Sequence, residues 1–525
     1  MTLQKLQFQA GINKETTAYA NEGGWIDGDK IRFRQGYPEK IGGWSKKTEN
    51  QFIGSCRALK AWITLDLSRY VGIGTNLKYF IEDGGELYDI TPLRDTTSAG
   101  DVTFSATNGS SEITVSDTNH GAVEGDFVTF SGATSLGGNI TADVLNQEYQ
   151  VDSVVDANSY KITARTASTA LSDYYDGGSI DITGAEVDAN SSDTGSGGSS
   201  TVGAYQINVG VDTSVFGNGW GAGTWSRGTW NSAATLTILS QTLRLWQHDT
   251  FGEDLVINTR NGGVYYWDAS GGLNSRAVAL EDLSGASNAP TVANKVIVSD
   301  VDRHVIAFGA NPLGSSTQDS LLIRFSDQED AADWTPSTTN TAGDLRIGSG
   351  SEIITAVETR QQIIVFTDES LHALQYIGPP YTFGINMISE NVTIRSPNAA
   401  VAVEDNIFWM GQSEFYLYRG TVQPLTCTVK EYIFDNLNED QAEKVFASIN
   451  ASYSEVWWFY PSGTSDNVDS YVVYNYEQNI WYYGTLGRTA WIDRGINDYP
   501  IAAATDGHMY FHEFGFDDGS QNPSA

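Results

Sequence analysis

The sequence predicts an all-β fold, a distorted six- or seven-bladed β-propeller-like platform with an inserted small β domain. Three observations carry this. Helical periodicity is nearly absent along the 525 residues. Glycine is frequent at 54 residues and aromatic side chains reach 12%, a composition of short strands and tight turns. Strand-turn-strand runs ending in aromatics also recur at a similar pitch.

Residues 1–50 read as an N-terminal extended segment. Residues 51–95 form a first propeller unit, with hairpins turning near Asp66-Leu67-Ser68 and Asp83-Gly84-Gly85. Residues 96–185 break the pitch and read as the inserted β domain. Its strands alternate around Glu112-Ile-Thr-Val, Asp126-Phe-Val-Thr-Phe, Glu148-Tyr-Gln-Val and Ser159-Tyr-Lys-Ile-Thr. Residues 186–235 are a Gly/Ser- and Trp-rich loop, beginning with the flexible-looking stretch Asn190–Thr201.

Residues 236–525 hold the remaining units: Leu255–Asp268, Lys295–Gly309, Ile353–Gly378, Ala399–Gly420, Val445–Tyr460 and Ile501–Phe514. Tyr265, Phe308, Phe366, Phe408, Phe459 and Phe511 read as equivalent aromatics, roughly 40 to 60 residues apart, close to the length of a four-stranded blade. The widest step holds an extra run, Asp319–Trp334. Asn438–Ala447 is the best helix candidate, with Asn438 as cap and Gln441 at the capping-box position.

Lys plus Arg number 30 against 65 Asp plus Glu, a net charge of −35. Tight binding to DNA, RNA or an anionic membrane needs a cationic face, so those classes are disfavoured. Acidity does not exclude a conduit for nucleic acid, whose wall must repel phosphate rather than hold it. Cys56 and Cys427 read as two buried free thiols. The first twenty residues lack the apolar core of a secretory signal, and no apolar run reaches membrane-span length. The reading is a protein made in the cytoplasm.

No catalytic signature emerges. The histidines are His120, His248, His304, His372, His508 and His512. His508 and His512 would sit about 13 Å apart on one face of a strand, too far for one metal ion. P-loop, GxGxxG, GxSxG and CxxC motifs are missing. Asp188, Asn190 and Ser192 imitate the start of a calcium loop, but Asp193 stands where the turn needs glycine. Asp300/Asp302 and Asp327/Glu329/Asp330 read as solvated turn acids. No cofactor or metal is expected, and no catalytic residue. Trp220, Trp225, Arg227 and Trp230 form the candidate interaction loop, since Trp supplies large buried area at interfaces and stacks on sugars.

Gly24–Trp44 (GWIDGDKIRFRQGYPEKIGGW) resembles the opening of the tail nozzle proteins of short-tailed bacteriophages, also called tail hubs, tail tubular proteins B or packaged-DNA stabilisation proteins. Phe325–Trp334, Ile364–Gly378 and Asn406–Gly420 resemble them too. The similarity covers roughly residues 1–95 and 236–525. It implies a virion tail protein, assembled in the host cytoplasm as a ring of six copies below portal and adaptor. The ring continues the channel for double-stranded DNA, retains the packaged genome and opens for ejection. The implied partners are the tail adaptor, fibres or spikes, further copies of the chain, and DNA in transit without sequence-specific contact or membrane insertion. The gate residues are unassigned. The alternative reading is a propeller-type receptor-binding protein that recognises host glycans.

Overall fold

The computed structural model describes residues 8–166, 175–176, 179–180, 184–214 and 243–517. Seven four-stranded antiparallel sheets form the blades of a propeller. Their innermost strands are Cys56–Ile63, Trp246–Phe251, Lys295–Val298, Ile353–Glu358, Ala400–Val403, Phe446–Asn450 and Ala490–Ile492. Each touches the innermost strand of the next blade, and the seventh touches the first. The blade count is therefore the upper of the two expected.

Six blades are built from consecutive strands. The seventh is shared between distant parts of the chain. Ala490–Ile492, Ile501–Ala503 and Met509–His512 supply three strands, and Trp44–Lys46 adds the outer fourth. Trp44 pairs with His512 and Lys46 with Tyr510. The segment before it, residues 8–43, includes the hairpin Ile31–Arg34/Tyr37–Lys40 and packs on the sixth blade.

A blade's middle strands lie between two neighbouring blades, so both of their faces are covered. Such strands read as continuous apolar runs rather than alternating ones. In the sixth blade Glu455–Tyr460 (EVWWFY) and Ser470–Asn475 (SYVVYN) are buried at every residue. The indole N–H groups keep partners there: Trp457 donates to Glu455 Oε2 at 2.8 Å and Trp458 to the Ala399 carbonyl at 3.1 Å.

The aromatic pattern slipped phase at its two ends. Phe308, Phe366, Phe408 and Phe459 all lie on second strands. Tyr265 and Phe511 lie on third strands. The second strands of those blades, Asp254–Thr259 (DLVINT) and Ile501–Ala503 (IAA), carry no aromatic to mark them. The extra run Asp319–Trp334 holds the third strand of its blade, Leu322–Phe325, followed by a loop that buries Trp334.

The inserted domain runs from Leu93 to Gln206 as two four-stranded sheets with their own core, including Phe104, Ile113, Phe130, Tyr160 and Tyr205. Its entry strand Leu93–Thr96 pairs with its exit strand Val202–Gln206. Asn190–Thr201 is not a loose tether. Thr134 and Phe104 donate backbone hydrogen bonds to Gly197 and Ser196, and Gly195 donates to Leu136. Gly197 has φ +91° and lies so close to Phe104 that an added Cβ would come within 2.6 Å of its ring. The small residues permit this close approach, which composition alone reads as flexibility. Asp193 accepts the backbone N–H groups of Gly138, Asn139, Ile140 and Asn190. Burial pushes its carboxyl up, yet those donors win and hold it below the usual range.

Asn438 does cap a helix, accepting from Asp440, but the helix is a 3-10 turn, Glu439–Lys444. Gln441 turns away from the cap and bonds both backbone groups of Ser214. A short α-helix, Lys430–Asn436, precedes it.

Candidate functional site

An even number of antiparallel strands returns each blade's chain to the end where it began. Every blade-to-blade connection therefore lies on one face of the propeller. The inserted domain and the helices of 430–444 are such connections, so they share that face. The opposite face carries short hairpin turns such as Thr64–Ser68, in which Leu67 takes φ 71°.

An open cavity of about 170 Å³ lies among the innermost strands. Arg57, Gln247, His248, Lys295 and Asn398 give it polar groups, and Trp246, Phe446 and Trp491 give it aromatic walls. Arg57 Nη2 pairs with Asp212 Oδ1 at 2.7 Å. Lys295 donates to Thr355 Oγ1 at 3.2 Å, and burial pushes its amine down to about 8. His248 Nδ1 lies 2.7 Å from the Tyr79 hydroxyl, and burial holds its ring down to about 3, hence neutral.

Where the innermost strands end, the charge reverses. Lys60 pairs with Asp249 at 2.7 Å, and Asp249 also accepts from the Val298 backbone. Glu358 accepts from the Asp300 backbone at 3.0 Å. Burial, then the charges of Asp300 and Asp249, push Glu358 up to about 7, against the pull of Lys60 and the Asp300 N–H. Its folded value exceeds its unfolded one, so the folded chain binds the proton more tightly. The stabilisation is full below about pH 4.5 and is lost as pH rises through 7. Glu358→Gln is therefore expected to gain on the order of 1–2 kcal/mol at pH 8, after allowance for solvent screening, and almost nothing at pH 4.5. Urea unfolding at both pH values checks this. An equal effect at the two would show that Glu358 ionises normally.

Trp220, Trp225, Arg227 and Trp230 lie outside the described residues. The chain on either side of them is placed. Val211 bridges to Leu243, Ser214 donates to Gln441 Oε1 and Glu443 Oε2, and Asp212 pairs with Arg57. Ser214 and Leu243, the described residues that flank this segment, are thus held by the 430–444 connection and by Val211.

The histidines are individually tied. His120 contacts the Asp156 carbonyl, His304 Thr341, His372 Ser349 and Ser370, His508 Lys46, and His512 Arg488. Among the described residues no group of three or more His, Cys, Asp or Glu side chains could hold a metal ion. Cys56 and Cys427 are free and buried in separate cores, and burial pushes both thiols up to about 12. Asp327 is bound by Thr341 and the Gln328 N–H, as a turn acid is. No described helix is long and apolar enough to cross a membrane.

Sequence reading missed the buried charge networks. Arg32 joins Glu455 and Glu513, and Lys78 joins Asp89 and Glu148. The partners lie far apart in the chain, and no local pattern marks them.

No family model matches the chain, and no curated protein does. Among solved structures it is similar to Hsv2 of Kluyveromyces lactis, at 9% identity and TM-score 0.33, covering 53% of this chain and 76% of that one. It is similar to the endosialidase of phage phi92 at 10% identity and TM-score 0.19, covering 83% of this chain and 54% of that one. It is similar to the extracellular domain of a putative one-component system from B. thetaiotaomicron at 9% identity and TM-score 0.28, covering 51% and 38%. The chain thus spans about half of the endosialidase and little over a third of the one-component domain. Scores this low carry no functional argument, and the fold stands on its seven sheets.

Proposed function

We propose that the chain is a structural platform of a short-tailed phage virion, a tail nozzle or hub that works as a ring of copies. The observation that carries this reading is the charge network that joins platform and insertion. Lys78 of the first blade, 2% exposed, pairs with Asp89 at 2.7 Å and with Glu148 of the insertion at 2.6 Å. Arg276 and Gln206 complete the junction. A module fixed this way holds its position under load, as an attachment point for an adaptor or fibre must. The four resembling segments support the reading, since all of them fall in the propeller or in the segment closing it.

The axial cavity is far too small for a duplex, so DNA would pass between copies, through the middle of the ring. The net charge of −35 suits a wall that repels phosphate. The platform needs no catalytic residue.

Electron microscopy of the purified protein, with two-dimensional class averages, tests this. Rings with a central hole wide enough for duplex DNA are expected, with six-fold symmetry. Single particles that stay single when the adaptor is added would defeat the reading. The alternative reading is recognition of host glycans through the Trp loop. Saturable glycan binding lost on Trp225→Ala would favour it.

A further inference from the structure

We infer that the outer hairpin of the fourth blade, Ser370–Gly378 and Thr382–Glu390, is the surface by which each copy of the chain holds the next, head to tail. The inference rests on the ring reading and names its contact.

The first argument is an open edge. Thr382–Glu390, nine residues long, is the outermost strand of its blade. Residues 383–387 pair one for one with residues 372–376 on their inner side, and no other described strand pairs with their outer side. An open edge of this kind invites another chain. The other blades avoid it. Glu86–Asp89, Gly343–Arg346, Val422–Leu425 and Trp44–Lys46 are short and carry charge or proline, and Val278–Ala279 is two residues long. Ile480–Thr485 is uncharged and apolar too, but the chain's own N-terminal segment covers it. The Ile12 N–H donates to the Trp481 carbonyl at 2.8 Å, and Asp29 accepts the Thr485 N–H at 2.7 Å. Among the described residues nothing plays that part for the fourth blade, where Asn386 and Met387 are exposed.

The second argument is charge. Residues 370–389 hold no Asp, Glu, Lys or Arg, the longest run of that kind in the chain. Burial pushes their one histidine, His372, below its ordinary range, so it is neutral at pH 7. Two copies at −35 each repel across most of their surfaces. Here they meet without setting acid against acid or stripping water from a charge. A strongly basic partner would be drawn to the acidic surfaces and gains nothing from this one. Apolar side chains stand in place of the missing charges: Ile377 is 57% exposed, Tyr381 74% and Met387 46%. Exposed apolar groups gathered on one hairpin mark an interaction surface.

The third argument is place. The outer strand of a blade lies on the rim of the propeller, farthest from the axis. A contact there sets copies side by side. It leaves both faces open, the insertion on one of them, for partners above and below. A head-to-tail contact uses two different surfaces of one chain, and such contacts close into a ring when the rotation between copies allows.

The test uses the full chain in two ways: sedimentation of the wild type and variants, and irradiation of a chain carrying a benzophenone side chain at position 387. The wild type is expected to associate reversibly beyond a pair. Met387→Glu is expected to weaken this at least tenfold, because it sets a carboxylate in the contact. Tyr381→Asp, at the exposed turn, serves if Met387→Glu does not fold. Leu65→Glu, at an exposed tip of the first blade, is expected to leave association unchanged. Irradiation is expected to join copies, with the crosslink landing outside residues 370–390 of the neighbour. A crosslink from hairpin to hairpin would show a two-fold pair and overturn the inference. Rings that form equally in the wild type and both hairpin variants, without a crosslink, would overturn it and leave the ring reading standing. A wild type that stays single at every concentration would overturn it too, and the ring reading then stands or falls with the adaptor experiment.

Discussion

Arg32→Met is expected to cost about 3–5 kcal/mol of stability, the range for breaking one side of a buried ion pair. Arg32 sits on the hairpin before the closing strand, with its side chain 2% exposed. Its Nε and Nη2 reach the Glu455 carboxylate at 2.9 and 3.2 Å, and Nη1 reaches Glu513 at 2.9 Å. The guanidinium also lies 3.5 Å from the centre of the Tyr453 ring. Glu455 keeps two neutral donors, the Tyr482 hydroxyl and the Trp457 indole. Burial already pushes Glu455 above the usual carboxylate range, and the Arg32 charge opposes that push. Without Arg32 the carboxyl rises further. The folded variant then holds a proton that its unfolded chain gives up, so its deficit grows as pH rises. Denaturant unfolding should show a large loss at pH 8 and a smaller one at pH 5. Glu455→Gln added to Arg32→Met should recover part of the loss at pH 8. A single variant within about 1 kcal/mol of the wild type would mean that the hairpin is not latched through this pair.

Lys78→Met should strike the junction between platform and insertion with similar force. Its ammonium lies between Asp89 and Glu148 and 4.4 Å from the centre of the Phe127 ring. Burial alone would push Asp89 up, but Lys78 and Arg276 hold it well below the usual range. Methionine keeps the bulk and leaves two half-buried carboxylates sharing Arg276, at a cost of about 2–4 kcal/mol, less than for a fully buried pair. The expected signature is local. Hydrogen exchange should quicken at Glu148–Gln150 and Val202–Gln206, while Glu455–Tyr460 keeps its protection. Uniform exchange across the chain, or none above the wild type, would show that the junction is held elsewhere.

Much of the architecture was legible because repeats print themselves on a sequence. Phe308, Phe366, Phe408 and Phe459 marked four blades through one physical cause, a second strand buried on both faces. The turn at Leu67 and the cap at Asn438 were legible because both are local. Trp44–Lys46 was not. Three residues carry no period, and their partners lie at the far end of the chain. The site was hidden for the same reason. Arg57 sits in a strand reading CRALKAWI, and nothing there says that it lines one cavity with residues of distant blades such as Lys295 and Trp491. Arg32 and Glu455 stand 423 residues apart.

Closure of the seventh blade by Trp44–Lys46 sets an order of events during synthesis. That strand leaves the ribosome early, and its partner Met509–His512 emerges only after six blades have been made. Until then the first blade has no neighbour on one side, and the early strand must stay unpaired. Bringing ends so distant together carries a loop-closure penalty that grows slowly with length but delays the contact. The last pairing to form is thus the one that seals the circle. Before it forms, the Met509–His512 edge is open to any other chain with a free strand. In a cell making many copies at once, an early strand could seal a neighbour's circle instead of its own.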